Sequence, residues 1–239
     1  MTGKAVMQSL EGKIAVVTGA GRGIGRAISV ELAAHGATVV GVSRSSNSLE
    51  ETRRLIGVEG AERFVPLALD ATQEADVQHC FAVAEAKGPV DILISNVGGG
   101  APSRLLDLSL VDWEAQMAVN ARSMYLFARE AARVMVPRKR GDIVNLSSLA
   151  GKRPVAGFAA YTASKFAAVG FSEAIARELR KDGIRVLSIC PGAVATEMRK
   201  QVAPAENPDT ISQPHQLASL IVFFLTLGEG ARDLSLDLF

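Results

Sequence analysis

Ile14-Ala15-Val16-Val17-Thr18-Gly19-Ala20-Gly21-Arg22-Gly23-Ile24-Gly25 is the stretch from which the rest of this chain can be read. Its first four residues are apolar and largely β-branched, as in a buried strand, and Ile24, Ile28 and Leu32 then recur at helical spacing. Strand, tight turn and helix follow one another with no linker. Glycines in such a turn let the backbone fold sharply and let a pyrophosphate come close. The helix that starts near Ile24 offers that anion its unpaired N–H groups and positive dipole end. Gly19, Gly23 and Gly25 carry the spacing GxxxGxG, and Gly21 reads as an extra glycine that only eases the turn.

The same alternation runs on. Thr38 to Val42, Phe64 to Leu69, Asp91 to Ser95, Asp142 to Leu146 and Ile184 to Cys190 read as strands, nearly continuously apolar, as parallel strands covered on both faces are. Helices are expected at Ser46 to Ile56, Gln73 to Ala86, Leu110 to Val136, Ala159 to Lys181 and Leu217 to Leu225, with Gly183 as a helix stop. Asp233 to Leu238 alternates as a last strand would. The expected fold is α/β: a single doubly wound Rossmann-type domain over residues 1–239, its mainly parallel seven-stranded sheet flanked by helices. Residues 1–12 read as an N-terminal extension.

Bulk properties narrow the function. Across 239 residues, 48% are hydrophobic and 21% charged, and 26 Lys and Arg nearly cancel 25 Asp and Glu, as in a soluble globular protein. The short basic clusters around Arg138-Lys139-Arg140 and Arg180-Lys181 read as solvated surface, so no nucleic-acid partner is expected. Cys80 and Cys190 form no ligand pair, so no metal is expected. With no long apolar segment at the start or elsewhere, a cytoplasmic protein without membrane contact is expected.

Three residues suggest chemistry. Tyr161 and Lys165 stand four apart in YTASK, on one face of a helix, where an ammonium would lower the pKa of a phenol. Ser148 lies at the end of a strand, thirteen residues upstream of Tyr161, and Ser147, pointing the other way, is the second choice. After the second strand, Ser43 stands where an NAD site often places an acid. Arg44 beside it, with Arg22 in the glycine turn, suits a ribose 2'-phosphate, so NADP is preferred and NAD is the alternative. Both arginines facing only water is the plainer reading.

Together TGAGRGIG, SNVG, Asn120, Ser148, YTASK and PGAVAT make the chain resemble the short-chain dehydrogenase/reductase family over about residues 11–226. The resemblance implies that Tyr161 passes a proton to or from the substrate oxygen and that Ser148 hydrogen-bonds the same oxygen. It implies that Lys165 lowers the phenol's pKa and binds the nicotinamide ribose, and that Asn120 holds a water linking Lys165 to solvent. It assigns Asp70 and Ala71 to the adenine, Asn96 and Gly98 to the cofactor wall, and Pro191, Gly192, Val194 and Thr196 to the nicotinamide.

Departures from the family pattern matter too. Val97 stands where many relatives carry alanine, Gly98-Gly99-Gly100 extends the turn and reads as a mobile rim, and the tail lacks a glycine pair usual after the last strand. Residues 196–213 resemble a substrate-covering loop, here short and polar, with Ala156, Phe158, Gly99 and Pro102 as pocket walls or ordinary loop packing. The implied activity is reduction of a ketone or a carrier-linked 3-oxoacyl thioester to the secondary alcohol. An NAD-linked secondary alcohol dehydrogenase and a noncatalytic dinucleotide-binding protein are the alternatives. Ala163, Ala167, Ala168 and Gly170 would let helices of two copies approach in a homodimer or homotetramer, or would simply pack the core.

Overall fold

The computed structural model describes residues 9–227 and the backbone of residues 235–238. Six parallel strands build the sheet: β1 (Ile14–Thr18), β2 (Thr38–Ser43), β3 (Phe64–Ala68), β4 (Val90–Ser95), β5 (Gly141–Leu146) and β6 (Ile184–Pro191). They lie side by side in the order β3-β2-β1-β4-β5-β6. Every pairing is parallel, where a mainly parallel sheet was expected.

The count of seven strands is corrected to six. Beyond β6 only the backbone of Ser235–Leu238 runs alongside, pairing Ser188 with Ser235 through Pro191 with Leu238 at the sheet edge. Asp233 and Leu234, the start of the expected last strand, lie outside the described residues, as do residues 1–8 of the expected extension. The alternation in Leu234-Ser235-Leu236-Asp237-Leu238 is the pattern of a strip with one polar side, whereas strands covered on both faces are apolar throughout.

That double covering explains why strand interiors read as continuous apolar runs. Ala15 and Val17 face one core with Ile28, Leu32, Ile94, Leu146 and Ile221, while Ile14 and Val16 face a second with Val77, Leu93, Phe127 and Ile143. Helices α1 (Gly23–Ala34) and α8 (Pro214–Thr226) serve the first core. Helices α3 (Glu74–Glu85), α5 (Ser123–Met135) and α6 (Ala159–Leu179) serve the second. Leu10, placed in the expected extension, is buried in the first core. The remaining helices are α2 (Ser46–Ile56), α4 (Leu110–Met117) and α7 (Glu197–Val202). No described helix is long and apolar enough to cross a membrane.

The single helix expected from Leu110 to Val136 is interrupted. Between α4 and α5, Ala118–Arg122 forms a π-turn in which Ser123 N–H reaches back to the Ala118 carbonyl. One residue is thereby squeezed inward, and Asn120 is completely buried. Such widened turns carry side chains that a regular helix would place elsewhere.

Strand order reverses between β1 and β4, and their carboxyl ends are tied together. Thr18, fully buried, accepts hydrogen bonds at Oγ1 from Asn96 N and Val97 N, both at 2.9 Å. Asn96 Nδ2 returns a bond to the Thr18 carbonyl at 2.9 Å. A valine at 18 has the shape of threonine and no acceptor, leaving two N–H groups unpaired. Thr18→Val should lower stability in urea unfolding by about 2–3 kcal/mol, with Thr18→Ser costing less than about 1 kcal/mol. A loss below about 0.5 kcal/mol for Thr18→Val would show that this junction is not held by the hydroxyl.

Candidate active site

A cavity of about 420 Å³ opens over the β1/β4 switch point, where open parallel sheets bind ligands. Its floor is the glycine turn. Gly19 and Gly23 have φ of 68° and 53°, left-handed values that a side chain resists. Gly25 packs so close that a Cβ there would stand 2.3 Å from the Gly19 carbonyl oxygen. Gly21 does more than ease the turn: a Cβ on it would lie 2.1 Å from Ser48 Oγ on α2. Arg26 braces the turn from behind, with its guanidinium on the Gly21 carbonyl and Nε 3.2 Å from Thr52 Oγ1.

At the start of α1, Arg22 makes no side-chain cap and the first turn holds no acid, so the N–H groups there face the cavity without a competing anion. A cradle that side chains would fill, under an uncapped helix start, fits the pyrophosphate of a dinucleotide. Arg22 and Arg44 are exposed on the rim, and neither side chain has an ion-pair or hydrogen-bond partner among the described residues. Asp70 closes the far end. Its carboxylate takes bonds from Thr72 N at 2.9 Å and Thr72 Oγ1 at 2.8 Å. The Thr72 backbone bond chiefly holds its pKa below the usual value, with Arg44 and Arg122 adding to the effect.

Of the residues marked from sequence, Gly19, Arg22, Gly23, Ile24, Ser43, Arg44, Asp70, Ala71, Asn96, Gly98, Tyr161, Lys165, Pro191 and Thr196 line this cavity. Ser148, Gly192 and Val194 line the adjoining one, of about 360 Å³, which Tyr161, Pro191 and Thr196 share. Gly25 and Asn120 line neither and lie beneath the walls.

At the wall between the cavities stand Ser148, Tyr161 and Lys165. Ser148 follows β5, its Oγ accepting from Ala150 N at 3.1 Å, and its hydroxyl lies near enough to Tyr161 to pull that phenol's pKa down. Ser147 points the other way and donates to the Lys165 carbonyl at 3.1 Å, fixing α6 against β5. Lys165 Nζ lies 5.7 Å from the centre of the Tyr161 ring and 3.5 Å from the Leu146 carbonyl.

Asn120 Oδ1 accepts from Gly99 N at 3.0 Å, and Nδ2 donates to the Gly99 carbonyl at 2.7 Å and to Ser164 Oγ at 3.0 Å. Ser164, which the sequence reading passed over inside YTASK, donates in turn to the Tyr161 carbonyl at 2.8 Å. A Cβ at Gly98 would meet Asn120 Oδ1 at 2.8 Å and Lys165 Nζ at 3.1 Å, so both polar atoms border one small space.

Burial governs both titrating groups. Lys165 is 4% exposed, and loss of water pulls its pKa down to about 8 against a small opposing effect from Cys190. Tyr161 is pushed above its ordinary value by the same loss of water, with the Ser148 hydroxyl pulling the other way. Lys165, expected to lower the phenol's pKa, does not figure among the influences on Tyr161, where burial prevails over the pull of Ser148.

The second cavity is mainly apolar, walled by Leu149, Val155, Phe158, Met198 and Val202. Phe158 was anticipated, whereas Ala156 and Pro102 are not in the wall, and Gly99 lines the first cavity instead. Residues 196–213 are more than a short polar loop. Thr196 caps α7, whose Met198 and Val202 cover the cavity, and Arg199 grips Glu206 through two bonds of 2.6 Å. Ala195 N on the Ser212 carbonyl, 2.8 Å, closes the neck of the segment.

Among known proteins, the short chain dehydrogenase family profile matches residues 13–207. A 3-oxoacyl-[acyl-carrier-protein] reductase of Vibrio cholerae is 32% identical, the alignment covering 90% of each chain. A (3R)-3-hydroxyacyl-CoA dehydrogenase of Homo sapiens is 35% identical, covering 92% of this chain and 91% of its own. Among solved structures, a 3-ketoacyl-(acyl-carrier-protein) reductase from Brucella melitensis complexed with NADH superimposes with a TM-score of 0.84 at 29% identity. That match covers 96% of this chain and 97% of the other. With a matching profile over most of its length and two relatives above 30% identity along nearly the whole chain, this protein belongs to the short-chain dehydrogenase family.

Proposed function

We propose that this nicotinamide-dinucleotide oxidoreductase reduces a ketone or 3-oxoacyl thioester to the secondary alcohol, with Tyr161 as proton donor. The observation that carries the reading is that Ser148 and Tyr161 together line an apolar cavity beside the dinucleotide cradle. When bound, the dinucleotide supplies hydride to the substrate carbon. Ser148 and Tyr161 hydroxyls hold the substrate oxygen, and the Tyr161 proton moves to it as its negative charge develops. Lys165, charged below about pH 8, stabilises the phenolate left behind. The space at Gly98 between Asn120 Oδ1 and Lys165 Nζ suits a water that returns the proton.

The apolar walls favour a substrate whose carbonyl carries hydrocarbon, and residues 196–213 cover it by way of α7. The names of the relatives point the same way: one is a 3-oxoacyl reductase and another a 3-hydroxyacyl dehydrogenase. The choice of NADP over NAD rests on this chain's own Arg22 and Arg44, since the Brucella relative is complexed with NADH. Leu110, Trp113, Tyr125 and Phe166 are exposed on α4, α5 and α6, beside exposed Ala167 and Gly170, and support pairing of two copies through these helices. Ala168 is buried and belongs to the core.

Tyr161→Phe should lower turnover at least ~10³-fold while dinucleotide binding persists, and near-normal turnover would remove Tyr161 as the acid. Reduced-dinucleotide titration should show tighter binding of NADPH than NADH, with Arg44→Ala weakening NADPH roughly tenfold; equal affinities in the unmodified protein would overturn the NADP preference. A panel of 3-oxoacyl thioesters and apolar ketones, read by NADPH consumption, tests the substrate class, and a flat panel favours a noncatalytic role.

Lys165 also makes a stability prediction. Its folded pKa of about 8 lies below the ordinary 10.5, so between these values the unfolded chain binds more protons and stability rises with pH. Below pH 8 the buried charge costs roughly 3 kcal/mol in full. Lys165→Met should therefore abolish turnover and raise stability at pH 7 by up to about 3 kcal/mol, losing the rise above pH 8. Denaturant melts at pH 7 and pH 9.5 check this, and a destabilised Lys165→Met protein at pH 7 would contradict it.

A further inference from the structure

Gly98-Gly99-Gly100 looked from sequence like a turn with glycine to spare. None of the three adopts the left-handed backbone, so no conformational rule asks for glycine at any of them. Contacts separate them. At Gly99 nothing lies within 4 Å of where a Cβ would stand. At Gly100 a Cβ would stand 2.3 Å from Cδ2, 2.6 Å from Cγ and 3.0 Å from Cβ of Tyr161, far inside ordinary carbon contact. The backbone of Gly100 therefore rests directly on the Tyr161 side chain.

That contact is held in place from several directions. Asn120 grips both the N–H and the carbonyl of Gly99, the residue next to Gly100. The same amide reaches Ser164, which holds the Tyr161 carbonyl. One buried side chain thus fixes the glycine and the backbone that carries the ring. The Phe158 ring packs edge-on to that of Tyr161 at 6.3 Å between centres. Ser103 N on the Gly157 carbonyl, at 2.8 Å, ties the Phe158 loop to the segment that follows Gly100. The ring sits in a slot whose width is set by the missing side chain at position 100.

We propose that Gly100 is a positioning residue for the reaction: its bare backbone sets where the Tyr161 ring lies, and so aims the hydroxyl at Ser148 and the substrate oxygen. The proposal rests on the reading of Tyr161 as proton donor. A methyl group at position 100 has to push the ring or the loop by about 1 Å, and misplacement on that scale is enough to cost about 10²-fold in rate. The hydroxyl would also move away from Ser148, which pulls its pKa down.

The test uses the full-length protein, and the chain's having only two tyrosines makes a direct readout available. In a Tyr125→Phe background, phenolate ultraviolet absorbance follows the titration of Tyr161 alone. Gly100→Ala should lower kcat about 10²-fold. It should raise the Tyr161 midpoint, because a displaced hydroxyl loses the lowering influence of Ser148. NADPH affinity by fluorescence titration should stay within about threefold, since the contact is with the ring and not the cradle. Ser164→Ala, which removes only a hydroxyl from the same clamp, should move both readouts in the same direction by a smaller amount, and it decides the matter if Gly100→Ala does not fold. Unmoved Tyr161 midpoints overturn the proposal, whether or not kcat falls. If Tyr161→Phe is inactive while Gly100→Ala keeps its rate and midpoint, only the positioning role fails. If Tyr161→Phe stays active, the proton-donor reading fails and this inference with it.

Discussion

Two parallel strands that turn away from each other leave their carboxyl ends side by side with no helix above them, and the backbone groups exposed there must find partners. In this protein Thr18 supplies them. Its one hydroxyl accepts from Asn96 and Val97, while Asn96 bonds the Thr18 carbonyl in return. The glycine turn leaves β1 from that junction and the Gly98–Gly100 segment leaves β4 from it, so floor and side wall of the dinucleotide cavity share one anchor. Asn96 was marked as a cofactor contact, and its amide is largely spent on this structural task.

The same economy of buried polar groups runs toward the reacting end. Ser147, Ser164 and Asn120 each spend their side chains on backbone or on one another, holding α6 against β5 and the Gly99 turn against α6. Lys165 is the exception. It is an almost wholly buried cation whose ammonium reaches the Leu146 carbonyl only at 3.5 Å. A charge in that position costs stability, and such costly buried groups cluster at functional sites.

Much of this was legible in the chain. Continuous apolar runs announced parallel strands covered on both sides, and GxxxGxG placed between strand and helix announced an anion cradle. Strand limits agree to within a residue or two because the double-faced burial that defines a strand is written into its residue types. The seventh strand was overread from alternation, a pattern that also suits an edge strip. The helix from Leu110 to Val136 hid a π-turn, because inserting one residue into a turn leaves apolar spacing on both sides nearly unchanged.

Residue types and spacing were sufficient for the α/β class and the family and for marking Ser148, Tyr161 and Lys165 as candidates, since local periodicity and short motifs encode all three. Tertiary structure alone decided how those residues behave. Tyr161 is pushed upward and Lys165 downward because both lose water, a quantity set by everything packed around them and by no neighbour in sequence. Gly21 and Gly100 looked dispensable in the chain, yet a Cβ at either would press on Ser48 or Tyr161, residues 27 and 61 positions away. Close approach between distant segments leaves no mark in a linear sequence other than the absence of a side chain.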